Sequence, residues 1–280
     1  MNIRQGLTMG CKMTNSTSKE LGIYVTTCDE MSFCLKTFCY LFNKFWPYET
    51  IINVLGYEEP DFDLPKNVKF HSLGRDLGAE NWSNDMIKFF SENKEHDYFM
   101  MAPEDGFIIK EVDEKLINFA LNFSKLFYES RGKFLRFGLT DCVSSREHDV
   151  IDRTLEGSPV ILSGESVDYR HSLQHSIWNR ESFLKMLKPN MNPWQIELDE
   201  SARFDGTDVL AFQGKCPIHV GHGYMKGKKV TRWYADVWRH LNGNSGLDDS
   251  EIAFIESQNW LPEIDPKIKR DGGGVIINGS

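Results

Sequence analysis

The chain has 280 residues, enough for one large core or two modest ones, and no Pro- or Gly-rich hinge divides it. Its 40% apolar and 12% aromatic content suits a globular protein, and a net charge of -9 argues against a surface made for polyanions in general. No apolar stretch reaches the roughly 18 residues that a bilayer span requires, and the N-terminal region lacks a signal-peptide apolar segment, so the expectation is a cytoplasmic protein without a membrane span.

In chain order, residues 1–19 are polar and without periodicity, which reads as a flexible arm. A single domain is expected over 20–262, with a nucleotide-binding half to about 140 and a second half after it, and a tail over 263–280. Leu21 to Thr27 reads as the first strand and Cys28-Asp29 as its exit loop. From Glu30, apolar residues at Cys34, Phe38, Leu41 or Phe42, and Phe45 fall at helical spacing, and Pro47 stops the helix. Ile51 to Leu55 and Val68 to Leu73 read as the next strands, running into Gly56 to Pro60 and into Gly74-Arg75-Asp76. A short helix carrying Met86, Phe89 and Phe90 on one face leads to a fourth strand, Tyr98 to Ala102. Strands alternating with helical patterns predict a mainly parallel α/β sheet. A helix over Glu111 to Arg131 and a strand over Phe134 to Thr140 complete the first half.

The second half is less regular. Pro159 to Leu162 and Val209 to Phe212 read as strands, Ser182 to Lys188 as a helix stopped by Pro189, and Trp233 to Leu241 and Asp248 to Asn259 as helices. Gly-rich turns crowd Gly214 to Gly227, and Gly272 to Gly274 reads as a disordered end. The six cysteines, Cys11, Cys28, Cys34, Cys39, Cys142 and Cys216, lie in apolar runs without a Cys-x-x-Cys, as expected of reduced core thiols.

The fourth strand ends abruptly in Pro103-Glu104-Asp105-Gly106. Ligands of open α/β sheets gather where the carboxyl ends of strands meet loops, and acids at such an edge suit a divalent cation held against nucleotide phosphates. A solvated turn is the alternative. His171 and His175 stand at helical spacing but lack the Glu of a zinc-protease motif, so a surface or hydrogen-bonding role is expected for them. The basic run from Lys226 to Arg232 reads either as phosphate-binding or as a solvated hairpin tip.

The order of these features, with Gln174 and Trp178, a short helix, and then Trp194-Gln195-Ile196-Glu197, resembles the GT-A class of nucleotide-sugar-dependent glycosyltransferases over about residues 21–235. The resemblance implies that Thr26, Thr27 and Asp29 contact the nucleoside, Glu58 or Glu59 the ribose, and Arg75 and Glu104 the donor nucleotide. It implies that Asp105 stands at the Asp-x-Asp position and grips Mn²⁺ or Mg²⁺, with His222 as a late ligand. Here the acids are adjacent rather than spaced, and adjacent strand residues point to opposite faces, which singles out one of them, Asp105. Glu197 is implied as the general base, with Trp194 and Gln174 on the acceptor side. The expected partners are a nucleotide-sugar donor and a glycan or other hydroxyl acceptor, nucleic acid being an acceptor of this chemistry in some enzymes. The competing readings are a metal-dependent hydrolase and a non-catalytic nucleotide- or sugar-binding module.

Overall fold

Short apolar runs closed by Gly, Pro or charged residues form the central strands of this protein, while edge strands such as Val68–Ser72 and His148–Arg153 are largely polar. Its computed structural model describes residues 20–140, 147–154, 157–199, 206–222 and 247–262, and the strand backbones 224–225 and 228–229. The first half alternates β1 (Gly22–Thr26), α1 (Cys34–Phe45), β2 (Ile52–Gly56), β3 (Val68–Ser72), α2 (Trp82–Glu92) and β4 (Tyr98–Pro103). All four strands are parallel. Thr26 aligns with Leu55 on one side and Pro103 on the other, and Leu55 aligns with His71, so their carboxyl ends lie along one edge.

The chain continues through β5 (Gly106–Ile108), α3 (Glu114–Arg131), β6 (Phe134–Gly138), β7 (His148–Arg153), β8 (Pro159–Ser163) and β9 (Ser176–Asn179). Then follow α4 (Arg180–Met186), α5 (Pro193–Leu198), β10 (Asp208–Phe212), β11 (Val220–His222), β12 (Tyr224–Met225), β13 (Lys228–Lys229) and α6 (Asp249–Ser257). Among the described residues, nine strands make one sheet in the order β3-β2-β1-β4-β9-β6-β10-β8-β7. Only β9 and β8 run against the others, so the sheet is mixed and mostly parallel, an α/β Rossmann-like arrangement.

Alternation of side chains sorts the sheet between two cores. Ile23, Val25, Ile52, Val54, Met100 and Ala102 join a core with α1, α3 and Ile255 of α6. Tyr24, Leu55, Phe99 and Met101 join one with α2, α4 and Ile196 of α5. β4, covered on both faces, therefore reads as an unbroken apolar run. Phe99 stacks on Phe90 at 4.3 Å and meets Phe183 edge-on at 5.5 Å, tying α2 and α4 to the strand. Burying each such side chain contributes about 1.5 to 3 kcal/mol.

Local chemistry sets the helix ends. The Asp113 side chain accepts from the Leu116 amide to open α3, which closes on Gly132 at φ 67°. Asn192 and Gln195 form a reciprocal capping box on α5, with Pro193 in its first turn. Gly132→Ala isolates one backbone effect, because nothing lies within 4 Å of the added methyl. It is expected to cost about 1 to 2 kcal/mol from left-handed strain alone, read as a lower urea midpoint at unchanged slope. An unchanged midpoint would show that the turn relaxes.

Some expectations needed adjustment. The first helix starts at Cys34 rather than Glu30, after a 3-10 turn over Asp29–Met31. β5, β7, β9, β11 and α5 were not foreseen as elements. Cys34, Cys39 and Cys216 are buried as expected, and burial pushes the Cys39 thiol up to about 12. No helix among the described residues is long and apolar enough to cross a membrane. The arm, the tail, the helix expected at Trp233 to Leu241, Cys11, Cys142 and, apart from the β13 backbone, the basic run lie outside the described residues.

Candidate functional site

The strand order turns at β1: β2 and β3 lie on one side of it and β4 on the other. Such a reversal opens a crevice at the carboxyl edge, the usual ligand position of open α/β sheets. The loops after β1 and β4 meet there, since the Glu104 amide donates to the Thr26 carbonyl at 3.2 Å. Thr26, Asp29, Glu104 and Asp105 are half-buried around it, and Thr27 is buried. Gly56 allows this packing, because a Cβ there would stand 2.9 Å from Thr27 Cγ2 and from the Phe70 ring.

Hydrogen bonds tie the neighbouring loops to this crevice. Asp29 Oδ1 accepts from the Glu58 amide at 2.9 Å, joining the exits of β1 and β2. The Thr27 hydroxyl donates to the Cys28 carbonyl at 3.2 Å. Ser72 Oγ donates to the Tyr57 carbonyl at 2.8 Å, and the Tyr57 hydroxyl donates to Asp85 at 2.9 Å, anchoring the loop to α2. Burial, with the Asp85 charge, raises the Tyr57 phenol far above its ordinary value, so it acts as a neutral donor. Glu58 and Arg75 are exposed on the rim.

Glu104 and Asp105 form the tight turn between β4 and β5. β5 then pairs antiparallel with β11, which sets His222 directly opposite Gly106. The acidic turn and His222, distant in sequence, thus become neighbours. His175 lies beside them: its Cε1 is 3.1 Å from where a Cβ on Gly106 would be. It is fully buried, and both ring nitrogens lack a hydrogen-bond partner. Burial, with a smaller repulsion from His222, holds its pKa down at about 3, so the ring is neutral. The segment carrying His171 and His175 is not helical, and neither ring is at the surface. Among the described residues, no group of three His, Cys, Asp or Glu side chains is assembled to hold a metal ion.

Glu197 lies near the end of α5. Its Oε1 accepts from the Leu173 amide at 2.7 Å, and its carbonyl accepts from the Tyr169 amide at 3.1 Å. Burial raises its carboxyl above the ordinary range, opposed by the Leu173 amide, the Ser172 hydroxyl and the Arg136 charge. Leu173 leads directly into half-buried Gln174 and then His175, a chain span of at most about 7 Å between Leu173 and His175. One strip therefore links Glu197 to the acidic turn. Trp194 is half-buried on the same helix.

Two features of this region escaped the sequence reading. Arg136, fully buried on β6, has its guanidinium carbon 5.3 Å from the Trp178 ring centroid and donates to the Arg170 carbonyl at 3.0 Å. Arg170, also buried, bonds His171 Nε2 at 2.8 Å and the Thr207 carbonyl. A charged residue inside the apolar run Phe134-Leu135-Arg136-Phe137 was the available signal, since buried charges are paired or hydrogen-bonded. His175 was noticed only for its spacing from His171, and nothing local marked it as buried.

No protein-family model and no curated protein matches this chain. Solved chains that match number 105. One is the crystal structure of S. aureus TarS, 10% identical, with a TM-score of 0.37 over 71% of this chain and 36% of that one. The chain spans little more than a third of that structure's length, and a likeness so distant decides nothing about activity.

Proposed function

We propose that this protein is a GT-A-type glycosyltransferase that moves a sugar from a nucleotide-diphosphate donor to an acceptor hydroxyl. The observation that carries the reading is the crevice at the reversal of strand order, where the β1 exit with Thr26, Thr27 and Asp29 meets the β4 exit with Glu104 and Asp105. The ordered segments from Gln174 to Glu197 supply the acceptor side of the same reading.

In this mechanism the loop of Thr26, Thr27 and Asp29 receives the nucleoside, with Glu58 toward the ribose and Arg75 and Glu104 toward the donor nucleotide. The Asp29 bond to the Glu58 amide keeps the two exit loops in register for that task. A divalent cation is part of this reading: Asp105 would offer it a hard oxygen and His222 an imidazole, from neighbouring positions of the β4-β5 turn and the β5-β11 ladder. A cation bound there would neutralise charge on the departing diphosphate. Trp194 offers the acceptor a flat apolar face, and Gln174 an amide for its hydroxyls. Glu197 takes the acceptor's proton as the hydroxyl oxygen bonds to the anomeric carbon, while the bond to the diphosphate breaks and its electron pair leaves with the phosphate. Burial of Glu197 raises its basicity for that step.

Thermal-shift measurement against nucleoside diphosphates, with Mn²⁺ and with chelator, tests donor binding, because a ligand of the native state alone raises its stability. At a concentration 100 times Kd the gain is about 2.7 kcal/mol. A flat response to every nucleoside diphosphate in both conditions would overturn the reading.

A further inference from the structure

β6 is irregular at its one charged residue, Arg136. Asp208 pairs with Phe134 and Val209 with Arg136, so Leu135 is an extra residue on β6, a β-bulge of the kind that re-aims a side chain. Phe134 and Phe137 join the core of α1 and α3, and Leu135 joins that of α2, α4 and α5. Strict alternation would put Arg136 on the face of Phe134. The bulge turns it instead to the face of Trp178, its partner in register on β9, whose ring centroid lies 5.3 Å from the guanidinium carbon. Gly138 keeps room there, since a Cβ on it would stand 3.0 Å from Arg136 Nη2.

That face is the one that α5 covers through Ile196, and the turn 169–173 bonds to both strand and helix. Arg136 donates to the Arg170 carbonyl at 3.0 Å. From α5, the Glu197 carbonyl accepts from the Tyr169 amide at 3.1 Å, and Glu197 Oε1 accepts from the Leu173 amide at 2.7 Å. The Ser172 amide closes the turn on the Tyr169 carbonyl at 2.9 Å. Tyr169 stands at φ 59°, a left-handed value that a residue with a bulky side chain keeps only where its surroundings hold it. Arg136 thus holds the middle of a strained turn whose two ends grip Glu197.

We infer that Arg136 is a positioning residue for Glu197: its guanidinium, aimed by the bulge, fixes the turn 169–173 so that the Leu173 amide orients the carboxylate. Arg136 also acts on Glu197 by its charge. Burial raises that carboxyl, and the Leu173 amide, the Ser172 hydroxyl and the Arg136 charge oppose the rise. α5 adds no other charged residue, and the turn adds Tyr169, Arg170 and His171, of which the last two are bonded to each other at 2.8 Å. The consequence for catalysis rests on the glycosyl-transfer reading; the positioning rests on the bulge and on the hydrogen bonds of the turn.

The test follows the Glu197 carboxyl carbon by NMR against pH in the full chain without substrate, with Glu197→Gln to assign the signal, and sugar transfer against pH beside it. Arg136→Met should raise the Glu197 midpoint and lower kcat by up to about 10²-fold, the cost of a misplacement of about 1 Å, at unchanged KM for the donor. Arg136→Lys keeps the charge and loses the planar fork of donors, and should recover part of both. Arg180→Met, which removes the partner of Asp97 on α4, should leave the midpoint at the parent's value. If Arg136→Met does not fold, Gly138→Ala decides, because its methyl presses on Nη2 and should raise the midpoint by a smaller step. A parental midpoint in the deciding variant, or no recovery in Arg136→Lys, would overturn the inference, since a guanidinium that only fills space leaves the carboxyl untouched. The two readings can also fail separately. A raised midpoint in Arg136→Met with no sugar transfer by the parent would sink glycosyl transfer and keep the role of Arg136. Sugar transfer by the parent with an unmoved midpoint in Arg136→Met would sink that role and keep glycosyl transfer.

Discussion

Glu197→Gln is expected to slow sugar transfer by about 10²- to 10⁴-fold, the usual worth of a general base, with donor affinity nearly unchanged. The amide keeps the size of the side chain, and its oxygen can still accept the Leu173 amide that Glu197 accepts at 2.7 Å. The loss then reports proton transfer rather than folding. The pH profile adds a second signature. Burial lifts the carboxyl above its ordinary 4.5, and a base works deprotonated, so the parent's rate should rise with pH through a midpoint above 4.5. The variant should lack that acid limb. Arg136→Met should move the parent's midpoint higher still, because the charge it removes favours the carboxylate. Near-parental turnover in Glu197→Gln, or an acid limb that survives in it, would take this residue out of the mechanism.

Asp105→Asn is expected to weaken nucleoside-diphosphate binding in Mn²⁺ by roughly 10- to 100-fold and to leave binding in chelator unchanged. The substitution removes a charge and a hard-cation ligand together. Asp105 is half-buried in the short turn between β4 and β5, so the apo protein should lose no more than about 0.5 kcal/mol, as for most surface changes. Isothermal titration in the two conditions separates the effects. Equal affinity of variant and parent with Mn²⁺ present would count against the assignment, and an equal loss in chelator would point to damage of the turn instead.

The first half of the fold was legible because its signals are local. The runs that became β1, β2 and β4 are short and mostly apolar, β3 alternates apolar Val68 and Phe70 with polar Lys69 and His71, and Gly, Pro and charged residues follow them. Helical patterns stand between β1 and β2 and between β3 and β4, which fits parallel alignment, whereas β2 and β3 are joined without a helix and their alignment was decided by the sheet. Cap chemistry was legible for the same reason: Pro47 follows α1, and Asp248 bonds the Ser250 amide as the helix that it opens begins. The crevice residues Thr26, Asp29, Glu104 and Asp105 could be named in advance because each ends a recognisable strand. In the second half, β9 was hidden. Its four residues are buried on both faces, so they show no alternation, and Ser176 to Trp178 was read as part of a motif rather than as a strand.

By itself, then, the sequence determined which segments of the first half, β5 apart, become helix or strand and which acids stand at strand ends, since period, capping and breakers act over a few residues. Only the tertiary structure decided that β9 enters antiparallel between β4 and β6, that β11 ladders onto β5 to bring His222 against Gly106, and that His175 is buried beside them. Those outcomes depend on which distant strands bury the most apolar surface and satisfy their backbone groups together. A three- or four-residue strand is too short to carry that choice in its own pattern.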